Sequence, residues 1–172
     1  MRVFDGQEHI TPRFPNFRFS HANVFNRHYN PKGALDPDSF RFPYPDCSFD
    51  FVFPKSVFTH MRPAGVQHYF REIRGVLKPT GSCLATAFLL TEDSTDLIRR
   101  GRSSLSLIHN LGGYSFLDPM FPETAVGVPE QSFREWYENA GLMLQPPIHY
   151  GSWCGRGTYK SFQDILLLCP II

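Results

Sequence analysis

The sequence is poor in the features that would place it outside ordinary soluble chemistry. No uninterrupted apolar run approaches the roughly 18 residues that a membrane-crossing helix needs. No charged segment followed by an apolar stretch opens the chain, which argues against a secretory leader. Charge of one sign is not in excess. The formal net charge is +1, which excludes a partner engaged mainly through nucleic-acid phosphates. Cysteine is sparse and scattered: Cys47, Cys83, Cys154 and Cys169 form no C-x-x-C pair. A zinc site built on paired thiolates or imidazoles is therefore not expected, and no metal is assigned. Two of these cysteines sit in apolar runs, as reduced thiols in a cytoplasmic protein would. Glycine is missing where it would matter most to a nucleotide-binding fold. Gly6 is the only glycine before Gly33, so no G-x-G lies near the N-terminus.

What is present is organised around Ser48 to Leu90. Phe49-Asp50-Phe51-Val52-Phe53 reads as an apolar strand, followed by a loop from Pro54 to Arg62. A helix is expected from Pro63 to about Leu77. Its residues Val66, Tyr69, Phe70, Ile73, Val76 and Leu77 fall on one face, with Arg71, Glu72 and Arg74 on the other. Pro63 suits a first helical turn, and Pro79 with Gly81 closes the unit before a second strand from Ser82 to Leu90. Two apolar runs joined by a one-sided helix make a parallel βαβ unit. Sites on such sheets lie beyond the carboxyl ends of the strands, which directs attention to the loop from Pro54 to Arg62.

The rest of the chain is read around that unit. Phe17-Arg18-Phe19-Ser20-His21 alternates as a short strand, and Asn26 to Asp46 reads as a long ordered loop. Asp96, Leu97 and Ile98 suggest a short helix, weakened by Gly101, and Gly112 to Val128 reads as loop. A helix from Pro129 to Ala140 would present Phe133, Trp136, Tyr137 and Ala140, with Gly141 as its stop. Leu142 to Tyr150 reads as a strand that Pro146 and Pro147 confine to an edge or break. Phe162 to Cys169 is a closing strand, pairing with it as an antiparallel hairpin.

Three segments together carry a resemblance. Pro45-Asp46-Cys47-Ser48-Phe49-Asp50-Phe51-Val52 is similar to a "P-D-x-S-F-D-x-V" entry into a fourth strand. Ser56-Val57-Phe58-Thr59-His60-Met61 matches an "S-V-F-x-H-L" loop, and Glu72 to Gly81 is close to "E-I-x-R-V-L-K-P-G-G". The chain thus resembles the class I S-adenosylmethionine (SAM)-dependent methyltransferases. The resemblance runs from Phe17 to Cys169 and is most specific in the middle. It implies an α/β, partial Rossmann-like sheet, comprising strands 3, 4, 5, 6 and 7 of the family order 3-2-1-4-5-7-6. It also implies one domain over residues 1–172, with strand 1 and on the same reading strand 2 absent, as in a truncated chain.

The resemblance implies SAM as cofactor and a small-molecule methyl acceptor. It places Ala22, Asn23 and Val24 beside the adenine, and Lys55, Ser56 and His60 under the ribose and methionine portions. Asp5 would be the acidic residue for the ribose hydroxyls. Yet only Gly6 to His9 separate it from the Ile10-Thr11-Pro12 turn, too few for a three-turn helix. The family's "(D/E)-x-G-x-G-x-G" loop has no counterpart. No catalytic residue is assigned, because methyl transfer from a sulfonium depends chiefly on alignment.

Three functions stay open: a methyltransferase, a non-catalytic methyltransferase-fold interaction module, and a nicotinamide-dependent reductase that the missing glycines disfavour. Tyr150, Trp153 and Arg156 could line a substrate pocket or simply pack across the hairpin. Arg99, Arg100 and Arg102 could meet an anion or form a solvated face. Without strands 1 and 2, the segment from Phe17 to His21 is expected to pair wrongly, loosely or not at all. The fourth strand then gains an open edge through which copies of the chain could associate.

Overall fold

The computed structural model describes residues 6–171, so Asp5 lies outside the described residues. A one-turn helix, α1 (Gly6–His9), precedes a long irregular stretch, and the first strand is β1 (Phe49–Val52). The helix α2 (Pro63–Val76) follows, with Pro63 in its first turn. Its stripe is the core: Val66, Phe70, Ile73 and Val76 are buried, and Tyr69 packs against their cluster. Helix α2 hands the chain directly to β2 (Leu77–Ala87), which pairs parallel with β1. The partners shift from Phe49 with Leu77 to Phe51 with Ser82, so the Lys-Pro-Thr-Gly turn survives as a bulge inside the strand.

The second apolar run is not one strand but two. At Phe88 it changes sheets: Val128 N–H donates to the Phe88 carbonyl, and Leu89 N–H donates to the Asp164 carboxylate. Beyond that switch, β3 (Leu89–Leu90) pairs parallel with β6 (Val126–Pro129). The strand β6 also pairs antiparallel with β5 (Ser115–Phe116), which pairs with β4 (His109–Asn110). The stretch from Gly112 to Val128, expected as loop, therefore holds two strands and a 3₁₀ turn at Pro122–Thr124. Their shortness and the interrupting Pro119 and Pro122 hide the alternation that marks longer strands.

Helix α3 (Glu92–Arg99) begins on a reciprocal capping pair between Thr91 and Ser94. Arg99 and Arg100 pair with Asp96 on its solvent side. Helix α4 (Glu130–Asn139) buries Phe133 and Tyr137 against α2. The strands β7 (Leu142–His149) and β8 (Asp164–Pro170) close the main sheet as an antiparallel hairpin. The sheet order is β1-β2-β8-β7, with β8 antiparallel to β2. This is the 4-5-7-6 part of the order the resemblance implies. The prolines at 146 and 147 fall on the edge strand, where the register slips between Gln145 and His149.

One expected strand is missing. Residues 17–23 form no strand in the described chain. With no neighbouring strand to take its N–H and C=O groups, alternation alone does not hold this segment extended in a sheet. The segment that follows folds on itself instead, through bridges of Val24 with Leu35 and of Asn26 with Asn30. On the main sheet, the row Cys83-Leu168 is fully buried, whereas Phe51, Leu167 and Met143 on the other face are 39–50% exposed. Among the described residues no helix is long and apolar enough to cross a membrane, and no group of three metal-ligating side chains occurs.

Candidate functional site

A cavity of about 550 Å³ opens beyond the carboxyl end of β1, within the size range of small-molecule sites. Its first wall is the self-closed segment carrying Val24, Phe25, Asn26, Tyr29, Asp36 and Asp38. The second wall is the turn after β1 and the start of α2, contributing Ser56, His60, Met61, Arg62, Gly65 and Tyr69. Glu123, from the turn before β6, completes it.

Local geometry explains how each wall is held. Ser56 takes a left-handed φ of 56°, rare for a residue with a side chain. Its N–H donates to Thr86 Oγ1 at 2.8 Å and its hydroxyl to Gln163 Oε1 at 3.1 Å. Those bonds reverse the chain directly after the strand, so that the 3₁₀ turn at Phe58–His60 faces the cavity. Asn26 ties the two walls together. Its Nδ2 donates to the His60 carbonyl at 3.0 Å, and its Oδ1 accepts from the N–H groups of His28 and Tyr29.

The sequence-assigned residues separate on this scaffold. Val24, Ser56 and His60 line the cavity, while Ala22, Asn23 and Lys55 do not. Ala22 and Lys55 are exposed, and Asn23 Oδ1 is occupied by Asn30 Nδ2 at 3.1 Å. The hydrogen-bonding capacity of Asn23 and Ser56 is thus spent largely on local structure. Trp153 and Arg156 lie elsewhere, on the buried Asp164, and Tyr150 donates to Glu130 Oε2 at 2.7 Å. Of the two readings open for them, packing is what the structure shows.

Other polar groups that face the cavity, Arg62 and Glu123 among them, were not singled out from sequence. Two short turns, at Phe58–His60 and Pro122–Thr124, meet at its floor. His60 Nδ1 lies 3.0 Å from the Glu123 carbonyl, and Arg62 Nε lies 2.8 Å from Glu123 Oε1. Glu123 Oε2, which lines the cavity, is buried without a hydrogen-bond partner, and so are Thr59 Oγ1 and Thr124 Oγ1 in the two turns. A buried carboxylate oxygen without a donor is uncommon in a folded interior and marks a place where a donor is wanted. In sequence, Glu123 sits among prolines and aromatics in apparent loop, sixty residues from its partner Arg62, and no local pattern pairs them.

A carbonyl only accepts, so His60 Nδ1 carries the proton and Nε2 keeps its lone pair. Burial lowers the His60 pKa, while the carbonyls of Glu123 and Thr124 pull the other way. The unfolded chain then takes up this proton before the folded one does. Stability from His60 is fully present above its ordinary pKa of about 6.5 and is lost as pH falls from there towards the lowered value. His60→Gln should accordingly flatten the decline in urea midpoint between about pH 7 and pH 5.5. An unchanged slope would show that another group titrates. Burial also raises Tyr29, and it raises Asp38 with help from Asp36.

The sheet order is that of part of a class I methyltransferase-type fold. Residues 18–85, from the first cavity wall through β1 and α2 into β2, match the family of the methyltransferase domain. A SAM-dependent methyltransferase from Methanosarcina mazei is similar in fold, with a TM-score of 0.54 at 17% identity, over 80% of this chain and 65% of that one. The PH0226 protein of Pyrococcus horikoshii OT3 has a TM-score of 0.52 at 17% identity, over 78% and 57% respectively. The chain therefore spans less than two thirds of the length of either. At that identity the likeness is one of fold.

Proposed function

We propose that the cavity holds SAM and that the chain takes part in methyl transfer to a small-molecule acceptor. The observation that carries this reading is the overlap of the methyltransferase-domain match, residues 18–85, with both main walls of the cavity. The lining suits such a ligand. Apolar and aromatic surface from Val24, Phe25, Tyr29 and Met61 would take a heterocycle, Arg62 would meet a carboxylate, and Asp38 and Glu123 would meet an ammonium. Bound there, the cofactor supplies an electrophilic methyl group.

What remains is the work of this chain's own residues. The left-handed Ser56 fixes where the wall from Val57 to Arg62 stands. His60, neutral with Nε2 free of Glu123, is the side chain able to accept a proton from an acceptor's hydroxyl or amine. The second reading is a binding module without catalysis. Calorimetric titration of the folded protein with SAM and with its demethylated product decides between them. Saturable heat from either supports the first reading, and no heat at millimolar ligand sinks it.

The open edge of β1 supports a further part of the reading, self-association by strand pairing. Strand β1 pairs with β2 alone, and Phe51 and Phe53 beside that edge are about half exposed, at 50% and 51%. No lysine or proline lies within the strand to blunt it. Size-exclusion with light scattering should show a dimer or larger species that Phe51→Lys converts to monomer. A wild-type monomer at high concentration would rule this out.

A further inference from the structure

We infer that the turn from Asn26 to Asn30 and the Phe121 ring form a subsite at the cavity mouth for an aromatic carboxylate, with Arg27 holding the carboxylate. This names the class of acceptor and rests on the proposed function. Arg27 stands out by what it lacks. Its Cζ lies over the Phe121 ring, 5.8 Å from the centroid, and it makes no ion pair or side-chain hydrogen bond among the described residues. A guanidinium placed over a ring face keeps N–H groups at its edge for a ligand, and that edge matches a carboxylate through two parallel bonds. The tip that carries it is closed. Asn26 and Asn30 exchange both backbone bonds, at 3.1 and 2.9 Å, and Asn26 Oδ1 accepts from the N–H groups of His28 and Tyr29.

From this tip a run of rings leads to the cavity. Phe121 lies 5.6 Å from His28, His28 4.6 Å from Tyr29, and Tyr29 4.8 Å from His60, each pair edge-to-face. Tyr29 and His60 are lining residues, and Phe121 stands two residues before Glu123, whose carbonyl faces His60 Nδ1. Phe121 and Tyr29 are 37% and 40% exposed, so ring surface is open to a planar ligand. A carboxylate held at Arg27 would leave the ligand ring along these side chains, with its far end towards His60. Charge at the tip has one sign. Residues 9–35 include Arg13, Arg18, Arg27 and Lys32 and no Asp or Glu. Asp118, close to Phe121 in sequence, is occupied by the N–H of Met120 at 2.8 Å. One guanidinium without a partner suits a ligand group of single negative charge.

The test titrates the intact chain with para-hydroxybenzoate and with its neutral amide, para-hydroxybenzamide, in the presence and absence of SAM. Backbone amide shifts read both the affinity and the place. The acid should bind about threefold to tenfold more tightly than the amide, the range that one well-formed exposed charge pair supplies. Its shifts should centre on Arg27, His28, Tyr29 and Phe121. Arg27→Gln should bring the two affinities together, and added salt should narrow them. Phe121→Leu should weaken both probes. Arg27 is exposed and Phe121 partly so, which keeps both variants folded. Equal affinities in the wild type, a preference unmoved by Arg27→Gln, or no saturable shifts from the acid would overturn the inference. A preference that Arg27→Gln abolishes, on a chain that never binds SAM, would uphold it and count against the methyltransferase reading alone.

Discussion

Asp164→Ala is expected to lower the unfolding free energy by about 3–5 kcal/mol, a large part of the roughly 5–15 kcal/mol that holds a domain together. Asp164 is fully buried, and every bond it makes is to a donor. Oδ2 accepts from Leu89 N at 2.7 Å and from Trp153 Nε1 at 2.8 Å. Oδ1 accepts from Gly151 N at 2.6 Å, with Arg156 Nη1 at 3.5 Å. Burial pushes the carboxyl above the usual carboxylate range, against the pull of these donors and of Arg156. Truncation would strand two backbone N–H groups, an indole N–H and part of a guanidinium. Each unsatisfied buried group costs about 1–3 kcal/mol.

Asp164→Asn should recover little, because its amide would aim N–H groups at other donors. The same network fixes the second sheet. Leu89 starts β3 where the chain leaves the main sheet, and Arg156 reaches Asp93 Oδ2 at 2.7 Å and Thr91 Oγ1 at 3.1 Å beside the start of α3. Urea unfolding should show the loss, and Trp153 fluorescence should report it early. A change under about 1 kcal/mol would mean that water replaces the carboxylate at no great cost.

Gly33→Ala is expected to weaken ligand binding roughly five- to hundredfold while leaving the melting temperature nearly unchanged. A Cβ at Gly33 would meet the backbone of Phe25 and Val24, with Phe25 Cα and Val24 C each at 2.5 Å. Backbone cannot swing aside as a side chain does. The bonds of Phe25 N–H to the Leu35 carbonyl and of Ala34 N–H to the Asn23 carbonyl close this segment, and they would have to shift. Overpacking of this kind costs about 1–3 kcal/mol, and each 1.4 kcal/mol is a tenfold change in affinity. The displaced residues, Val24, Phe25 and Asn26, are one wall of the cavity and contribute nothing to the buried core clusters. Binding and stability should therefore separate. A variant that melts far lower would show that this segment supports the fold as well as the site.

The sequence is legible where periodicity is strong and contacts are local. The α2 stripe, the α4 stripe and the hairpin of β7 with β8 each stand as expected, with Pro146 and Pro147 on the edge strand as their missing N–H groups require. Cys83 behaves as the small hydrophobe its apolar run suggests, its thiol pushed up to about 12 by burial. The switch of sheets at Phe88 is not legible, because it depends on an acceptor contributed by Asp164 from the far end of the chain. Half of the assigned residues lie off the cavity for a related reason. Ala22 and Asn23 belong to a strand position that has no neighbour here, so the segment folds on itself and brings Val24 and Tyr29 forward instead. Glu123 meets Arg62 only through the crossing of two three-residue turns. No spacing rule reaches across that distance.

We propose that the walls at residues 24–38 and 56–69 enclose the cofactor site. Backbone amide shifts recorded during titration with SAM test it most directly. Saturable shifts are expected at Val24, Phe25, Asn26, Tyr29, His60 and Glu123, with β7 and the α4 surface silent. Saturable shifts centred elsewhere, or none at millimolar ligand on a folded chain, would contradict it.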